Sequence, residues 1–452
     1  MKSILKVKNS ATCLSCFIIN FMQSSDTPKL NDTRTIRAWA LFDWANSAYA
    51  LVITVAIFPG YYLAVTDDFV QVLGWQVSSS ALYSFAISAA YILIAFSSPF
   101  LSGIADYGGK KKTFLRFFTT IGSLACIAMW WFKGMPQLTL GTVSFIIATI
   151  GFAGGLVFYN AYLPLIATED KYDQVSAKGF SYGYIGSVIL LIINLIIIQF
   201  HENFGFDEQG GAVRLAFVMV GMWWLGFAQI PFNRLPKDTK TGQSKDLMKK
   251  GFEELKKVWR SLQHHPDTKK FLASFFLYNA GVQTVLFLAA TFAEKELKFA
   301  TSEMILLILL LQIVAIGGAY LFAKISDMRG NKFSLTFILC IWSVICILAY
   351  LVQSKMEFYA IAGAVGLVMG GIQSLSRSTY SKLIPENTRD TASWFSFYEV
   401  TDKVGVVLGT FTFGFMDQLT GSMRNSVLVL IIFFIVGLLV LRTVNMTKPK
   451  IA

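Results

Sequence analysis

"SGIADYGGKKK" occupies residues 102–112. It closes one long apolar stretch and opens the next with an acid, paired glycines and three lysines. Its pattern returns in "AKISDMRGNK" at 323–332: a small residue, three positions, Asp, two positions, Gly, then a basic residue within two more. Asp106 and Asp327 are 221 residues apart, about half of the 452-residue chain. Two further echoes keep nearly the same offset. Gly154-Gly155 with "YLPLI" (162–166) answers Gly370-Gly371 with "YSKLI" (380–384), and "AKGFSY" (177–182) answers "ASWFSF" (392–397). Three matches in the same order indicate two halves of like topology.

The chain is 55% hydrophobic and 15% charged, against ~25% charged in a soluble domain. Its apolar residues come in blocks of the roughly 20 residues that span ~30 Å of hydrocarbon at ~1.5 Å rise. Twelve blocks are read: 38–65, 77–105, 113–132, 139–166, 179–200, 213–233, 271–293, 303–323, 333–353, 357–384, 392–416 and 425–443. The fold class is therefore all-α polytopic membrane protein, with twelve transmembrane helices as two pseudo-symmetric six-helix bundles. The expected divisions are an N-terminal tail over 1–35, a first bundle over 36–233, a linker over 234–270, a second bundle over 271–443 and a C-terminal tail over 444–452.

The formal charge of +12 follows topology. With twelve spans, 32 of the 39 Lys and Arg fall in the tails and loops of one side, 6 fall on the other, and Lys403 lies inside a span. Basic residues stay in the cytoplasm, so both termini are expected there. No basic patch interleaved with aromatics argues for nucleic acid. Cys126, Cys340 and Cys346 lie in apolar blocks, and Cys13-x-x-Cys16 lacks a second ligand pair. His201, His264 and His265 form no metal spacing, so neither a metal nor a cofactor is expected. Residues 1–22 imitate a signal peptide, but the apolar part is short and polar-spotted. Met22 is read as the start.

The repeated loop resembles the signature between helices two and three of the major facilitator superfamily, with Ser102 where that signature has Gly and Tyr107 where it usually has a base. "DWANSAYALVI" (43–53), "NAYLPLI" (160–166), "FLYNAGVQTV" (276–285) and "GGIQSLSRSTYSKLIP" (370–385) resemble the vacuole-effluxer-like branch, the autophagy-related vacuolar amino-acid effluxers and their bacterial relatives. The likeness covers nearly all of 36–443. It implies the major facilitator fold, a small-molecule, amino-acid substrate and export. Ala280 stands where the family is expected to carry an acid, so no charge role is expected at that position of helix seven.

Alternating access requires the two halves to rock about a central site. Asp106 can accept from the first amides of a facing helix, favoured by that helix's positive end, and Asp327 is its counterpart in the second half. Gly109 and Gly330 permit the turn. Lys110, with Lys111 and Lys112, holds the loop in the cytoplasm and meets anionic headgroups. These residues, with Arg377 near the same end of helix ten, form the expected cytoplasmic gate, and Arg377 is read as a snorkelling partner of Asp106 or Asp43 rather than a substrate clamp.

Helix one carries Asp43, Asn46, Ser47 and Ala50 at i, i+3, i+4, i+7, a polar or small stripe on an apolar helix. Such a stripe does not face lipid. Asp43 fits a cavity or a bundle-holding ion pair equally. Asn160, Asn279, Gln283 and Gln373 are further cavity candidates, and amides also join helices. In helix eleven, Glu399, Asp402 and Lys403 share a face at i, i+3, i+4, ~12 to ~18 Å along the span. Glu399 and Lys403 are expected to pair. Asp402 is then the unmatched acid and the expected proton carrier, with Lys403 on the substrate carboxylate. A buried three-charge lock has the same signature. In the linker, Met248, Phe252, Leu255, Trp259 and Leu262 recur at 4, 3, 4, 3, an amphipathic helix on the surface of the bundle or the membrane.

No GxxxxGK[ST] loop appears, so an ion or solute gradient must supply the drive. The sequence therefore reads as a secondary active transporter, not an enzyme. The expected partners are a small solute, a coupling proton and the lipid bilayer, with the protein a monomer in the plasma membrane if bacterial or the vacuolar membrane if fungal. The rival readings are a sugar or drug exporter of the same superfamily and a transporter-like receptor or scaffold that never cycles.

Overall fold

The computed structural model describes residues 29–72, 74–238, 247–386, 388–420 and 422–446. Cys13, Cys16 and the Met22 start lie outside them. The long helices are α1 (Thr33–Val65), α2 (Ser79–Tyr107), α3 (Lys111–Ala128), α4 (Leu138–Asn160), α5 (Tyr172–Gln199), α6 (Gln209–Arg234), α7 (Pro266–Leu297), α8 (Thr301–Arg329), α9 (Asn331–Leu351), α10 (Lys355–Leu383), α11 (Thr391–Thr420) and α12 (Met423–Arg442). Ten of these are apolar and long enough to cross a membrane by composition. The eleventh is α7, bent by 55° between Pro266–Leu286 and Thr291–Leu297. The twelfth, α11, is diluted by Glu399, Asp402 and Lys403.

Local chemistry explains the departures from plain helix. The block expected over 139–166 breaks at Ala161–Tyr162 and restarts as Leu163–Ile166 with Pro164 in its first turn, where a missing N–H costs nothing. Within α1, Tyr49–Ile57 is wound as a π-helix, and the Phe58 amide bonds Ile53 five residues back. Between α1 and α2, a hairpin pairs β1 (Phe69–Val72) with β2 (Trp75–Ser78) in antiparallel register Val70↔Val77. It is the one β-structure among the described residues, a short addition to the helical fold.

Glycine removes bulk where helices cross. A Cβ on Gly318 of α8 would enter the Leu367 carbonyl of α10, and one on Gly370 of α10 would enter the Ala315 carbonyl of α8. This is the close small-residue contact of membrane helices, which pack by contact rather than by water expulsion. Gly317, one residue away, has open space at its Cβ position. Gly318→Val is therefore expected to cost ~3 kcal/mol, the upper end of overpacking, and to abolish the monodisperse peak in detergent. Gly317→Val should keep it, and equal tolerance of the two would refute the crossing.

The halves α1–α6 and α7–α12 meet mainly through α2 with α11 and α5 with α8 and α10. Among the described residues, every hydrogen bond joining the halves lies between their middle and the face that carries the linker. The deepest are Tyr184 OH to Gln373 Oε1 at 2.6 Å and Asn160 Nδ2 to Glu399 Oε1 at 2.7 Å. The bundle is closed on this linker face.

The linker carries a helix over Leu247–His264, and the apolar stripe read there divides. Leu262, with Val258 and Gly251, packs inward, Gly251 crossing against Gly103 of α2. Met248, Phe252 and Trp259 stay exposed. Lys257 bonds Asp390 at 2.8 Å and Glu254 at 2.6 Å. Those bonds, the Asp390 one foremost, hold its ammonium above the ordinary lysine range.

Candidate functional site: the inter-half polar network

The linker-face closure is built on Asp106. Helix α11 begins at Thr391, so its next two amides have no intrahelical acceptor. Ala392 N donates to Asp106 Oδ1 at 3.2 Å and Ser393 N to Oδ2 at 2.7 Å. The carboxylate thus sits on the positive end of the facing helix. Lys111 Nζ adds an ion pair at 2.8 Å and donates to the Arg389 carbonyl at 2.6 Å. Lys111 thus meets the facing half as well as the edge of the linker face, while Lys110 is exposed. Gly109 has φ +60° and Gly330 φ +84°, the left-handed region that glycine enters freely.

The second copy of the motif works differently. Helix α5 starts at Tyr172, a turn before its repeat-equivalent Ala177, so the amides opposite Asp327 are already bonded within the helix. Asp327 instead accepts from the Gln174 side chain at 2.9 Å. The bonds at this seam converge on Asp173, which accepts from Asn331 at 2.8 Å, Ser326 at 3.0 Å and Lys382 at 2.7 Å. Asp173 escaped the sequence reading because the fifth span was started at 179, leaving it in a loop.

In the middle of the bundle, five ionisable side chains form a chain across both halves. Arg377 of α10 is 2% exposed and does not snorkel, which corrects its placement at the water edge. Its guanidinium donates to Asp43 at 3.2 Å, Asn160 Oδ1 at 3.1 Å, and the Ser176 hydroxyl and carbonyl, each at 2.9 Å. Tyr159 OH donates to Asp43 at 2.7 Å. Asn160 then passes the contact to Glu399. Lys403 reaches Glu399 at 3.5 Å and lies closest to Asp402. Asn279 donates to Asp402 at 2.8 Å, with Gln283 behind it at 3.4 Å. Asp402 is therefore not left without a base: the expected Glu399–Lys403 pair is a triad sharing one ammonium. The Lys403 nitrogen lies 5.6 Å from the centre of the Tyr91 ring of α2.

Three carboxyl groups face two bases here, so the cluster carries one acid in excess. Burial of that charge is costly unless it is paired, hydrated or protonated. Asn46 is buried, and neither of its amide atoms has a partner among the described residues. Gln373 is tied to Tyr184. Tyr91 and Tyr184 were missed because a Tyr in an apolar run carries no periodic signal, and Ser176 because, like Asp173, it precedes the expected start of the fifth span. Among the described residues no group of His, Cys, Asp and Glu could hold a metal.

The family model described as "Vacuole effluxer Atg22 like" matches residues 31–452. The protein called "Uncharacterized MFS-type transporter YxiO" of Bacillus subtilis is 30% identical over 412 residues, which cover 90% of this chain and 94% of that protein. "Autophagy-related protein 22" of Kluyveromyces lactis is 28% identical over 83% of this chain and 81% of its own. Among solved structures, the major facilitator transporter FucP in the outward conformation superposes with a TM-score of 0.68 at 13% identity, covering 92% of this chain and 99% of that one. The proton:xylose symporter XylE gives 0.68 at 13% identity, covering 91% and 95%.

Proposed function

Because the chain belongs to the vacuole effluxer Atg22-like family of major facilitator transporters, we propose that it moves amino acids across its membrane by alternating access, in the export direction and coupled to a proton. The observation that carries this reading is the central network with its one excess acid, joined through Asn160 to the closed linker face. A transported amino acid brings one ammonium and one carboxylate, and the network offers acids for the first and Lys403 for the second. Asp402 is the proton carrier in this reading. Asn46, with its free amide, lines the solute path with Asn160, Asn279, Gln283 and Gln373. Asp106, Gly109, Lys110, Asp327, Gly330 and Arg377 belong to the gate. In this reading the linker face and both termini lie in the cytoplasm, which the excess of Lys and Arg on that side supports. The protein works as a monomer, without a metal or cofactor, in the plasma membrane if its host is bacterial and in the vacuolar membrane if fungal.

Proteoliposomes preloaded with an apolar or aromatic amino acid are expected to take up the labelled compound by counterflow. An imposed pH difference should then drive accumulation. Absence of counterflow across all twenty amino acids would defeat the substrate, and counterflow without pH-driven accumulation would defeat the proton.

A further inference from the structure

The Arg377 guanidinium belongs to the second half, but its hydrogen bonds and ring contacts all go to the first. Its centre lies 4.7 Å from the Trp39 ring, 5.5 Å from Tyr159 and 4.2 Å from Phe180. Its protons go to Asp43, Asn160 and Ser176. These six residues come from α1, α4 and α5. The cage is also held by contacts that do not involve its guest. Trp39 Nε1 donates to the Tyr159 carbonyl at 3.0 Å, the two rings stack at 4.6 Å, and Tyr159 OH holds Asp43. Room for the guest comes from Gly179. A Cβ there would lie 2.7 Å from Asp43 Oδ2, 2.8 Å from Arg377 Nη2 and 2.9 Å from the Trp39 ring.

We propose that this cage is a cation-binding site of the first half, taking the guanidinium or primary alkylammonium group of a solute when the halves part on the linker face, and that Arg377 is its tethered occupant in the closed state. The proposal rests on the alternating-access reading. Parting the linker face withdraws α10 from α5 and removes Arg377. Asp43 then keeps only the Tyr159 hydroxyl of its side-chain partners, among the rings of Trp39, Tyr159 and Phe180. A carboxylate so placed needs a counter-charge, and aromatic walls favour an organic cation over a hydrated metal ion. The returning Arg377 would expel that guest and complete the closure. Asp43 thus acts twice, on the solute in one state and on the gate in the other.

Two probes test this. In Arg377→Ala the cage is emptied without any need for motion. Ethylguanidinium is expected to raise the melting temperature of the purified variant by several degrees at millimolar concentration, and Arg377→Ala/Asp43→Asn should lose that response. Arg377→Lys, which keeps a cation in the cage, controls for folding and should not respond. If Arg377→Lys is folded and Arg377→Ala ignores ethylguanidinium, or if the response survives Asp43→Asn, the cage is not a cation site. The second probe is Asp106→Asn, which weakens the gate away from the cage. Agmatine should bind it about tenfold more tightly than the parent protein. A responsive Arg377→Ala with no gain in Asp106→Asn would leave a cation cage that motion never exposes. That result would defeat the alternating-access reading and the proposed role together, and the first probe alone would have established the site's chemistry.

Discussion

Lys403→Ala is expected to abolish both pH-driven flux and counterflow, whereas Asp402→Asn should abolish only the first. Lys403 is the single base of the helix α11 triad, in contact with Glu399 and Asp402. Removing it leaves two buried acids without a counter-charge. Losing one partner of a buried pair costs ~3–5 kcal/mol, so part of the effect will appear as lower folded yield. Lys403→Met combined with Glu399→Gln and Asp402→Asn removes the whole lock and should recover the yield without recovering transport. Recovery of transport in that triple variant would assign the triad a purely structural role. In Asp402→Asn the amide oxygen still accepts from Asn279, and Lys403 keeps Glu399 as its counter-charge while losing Asp402. What it loses is an exchangeable proton. Counterflow within about twofold of the parent, with no accumulation under a pH difference, is the expected pair of results. Accumulation that persists would remove Asp402 as the coupling acid.

Asp106→Asn should shift the resting equilibrium toward opening of the linker face by one to two orders of magnitude. Asparagine offers one carbonyl oxygen to the two amides of Ala392 and Ser393, and its own amide group repels one of them. It also ends the ion pair with Lys111. Hydrogen bonds to a charged acceptor contribute ~1.5–3 kcal/mol each, and a loss of ~2 kcal/mol is roughly thirtyfold in a two-state ratio. The readout is a cysteine introduced at Ser378, which is buried behind the closed face. Its labelling from the linker side should rise in Asp106→Asn and stay unchanged in Asp327→Asn. Asp327 meets only a side-chain amide at an exposed position. Equal responses would mean that the two motif copies do the same work, against their geometry.

The twelve spans, the two halves and the polar face of α11 were legible because each is written in period or composition. The partners were not. That Asp106 meets α11 rather than water depends on where α11 starts, and a helix start shifted by one turn is what makes Asp327 differ. Arg377 looked like a water-edge residue because its distance from the span's end was counted in sequence. The facing half buries that end, and no local pattern records it. The hairpin between α1 and α2 and the π-wound segment of α1 left no trace in hydrophobic spacing either.

The lysines of the linker face carry a consequence for biogenesis. Lys112 Nζ donates to the Leu235 carbonyl at 2.8 Å, just past the end of α6, and Lys332 Nζ donates to the Arg442 and Val444 carbonyls at 2.7 and 2.8 Å, at the end of α12. Each satisfies the orphan acceptors of a helix terminus and opposes its negative pole. In the proposed orientation the same charges also hold this face in the cytoplasm during insertion. Neutralising them would therefore disturb translocation early and helix termination late. A reversed orientation would arise together with a loosened bundle, so a topology switch in this chain cannot be made by charge alone without also rebuilding the ends of its sixth and twelfth helices.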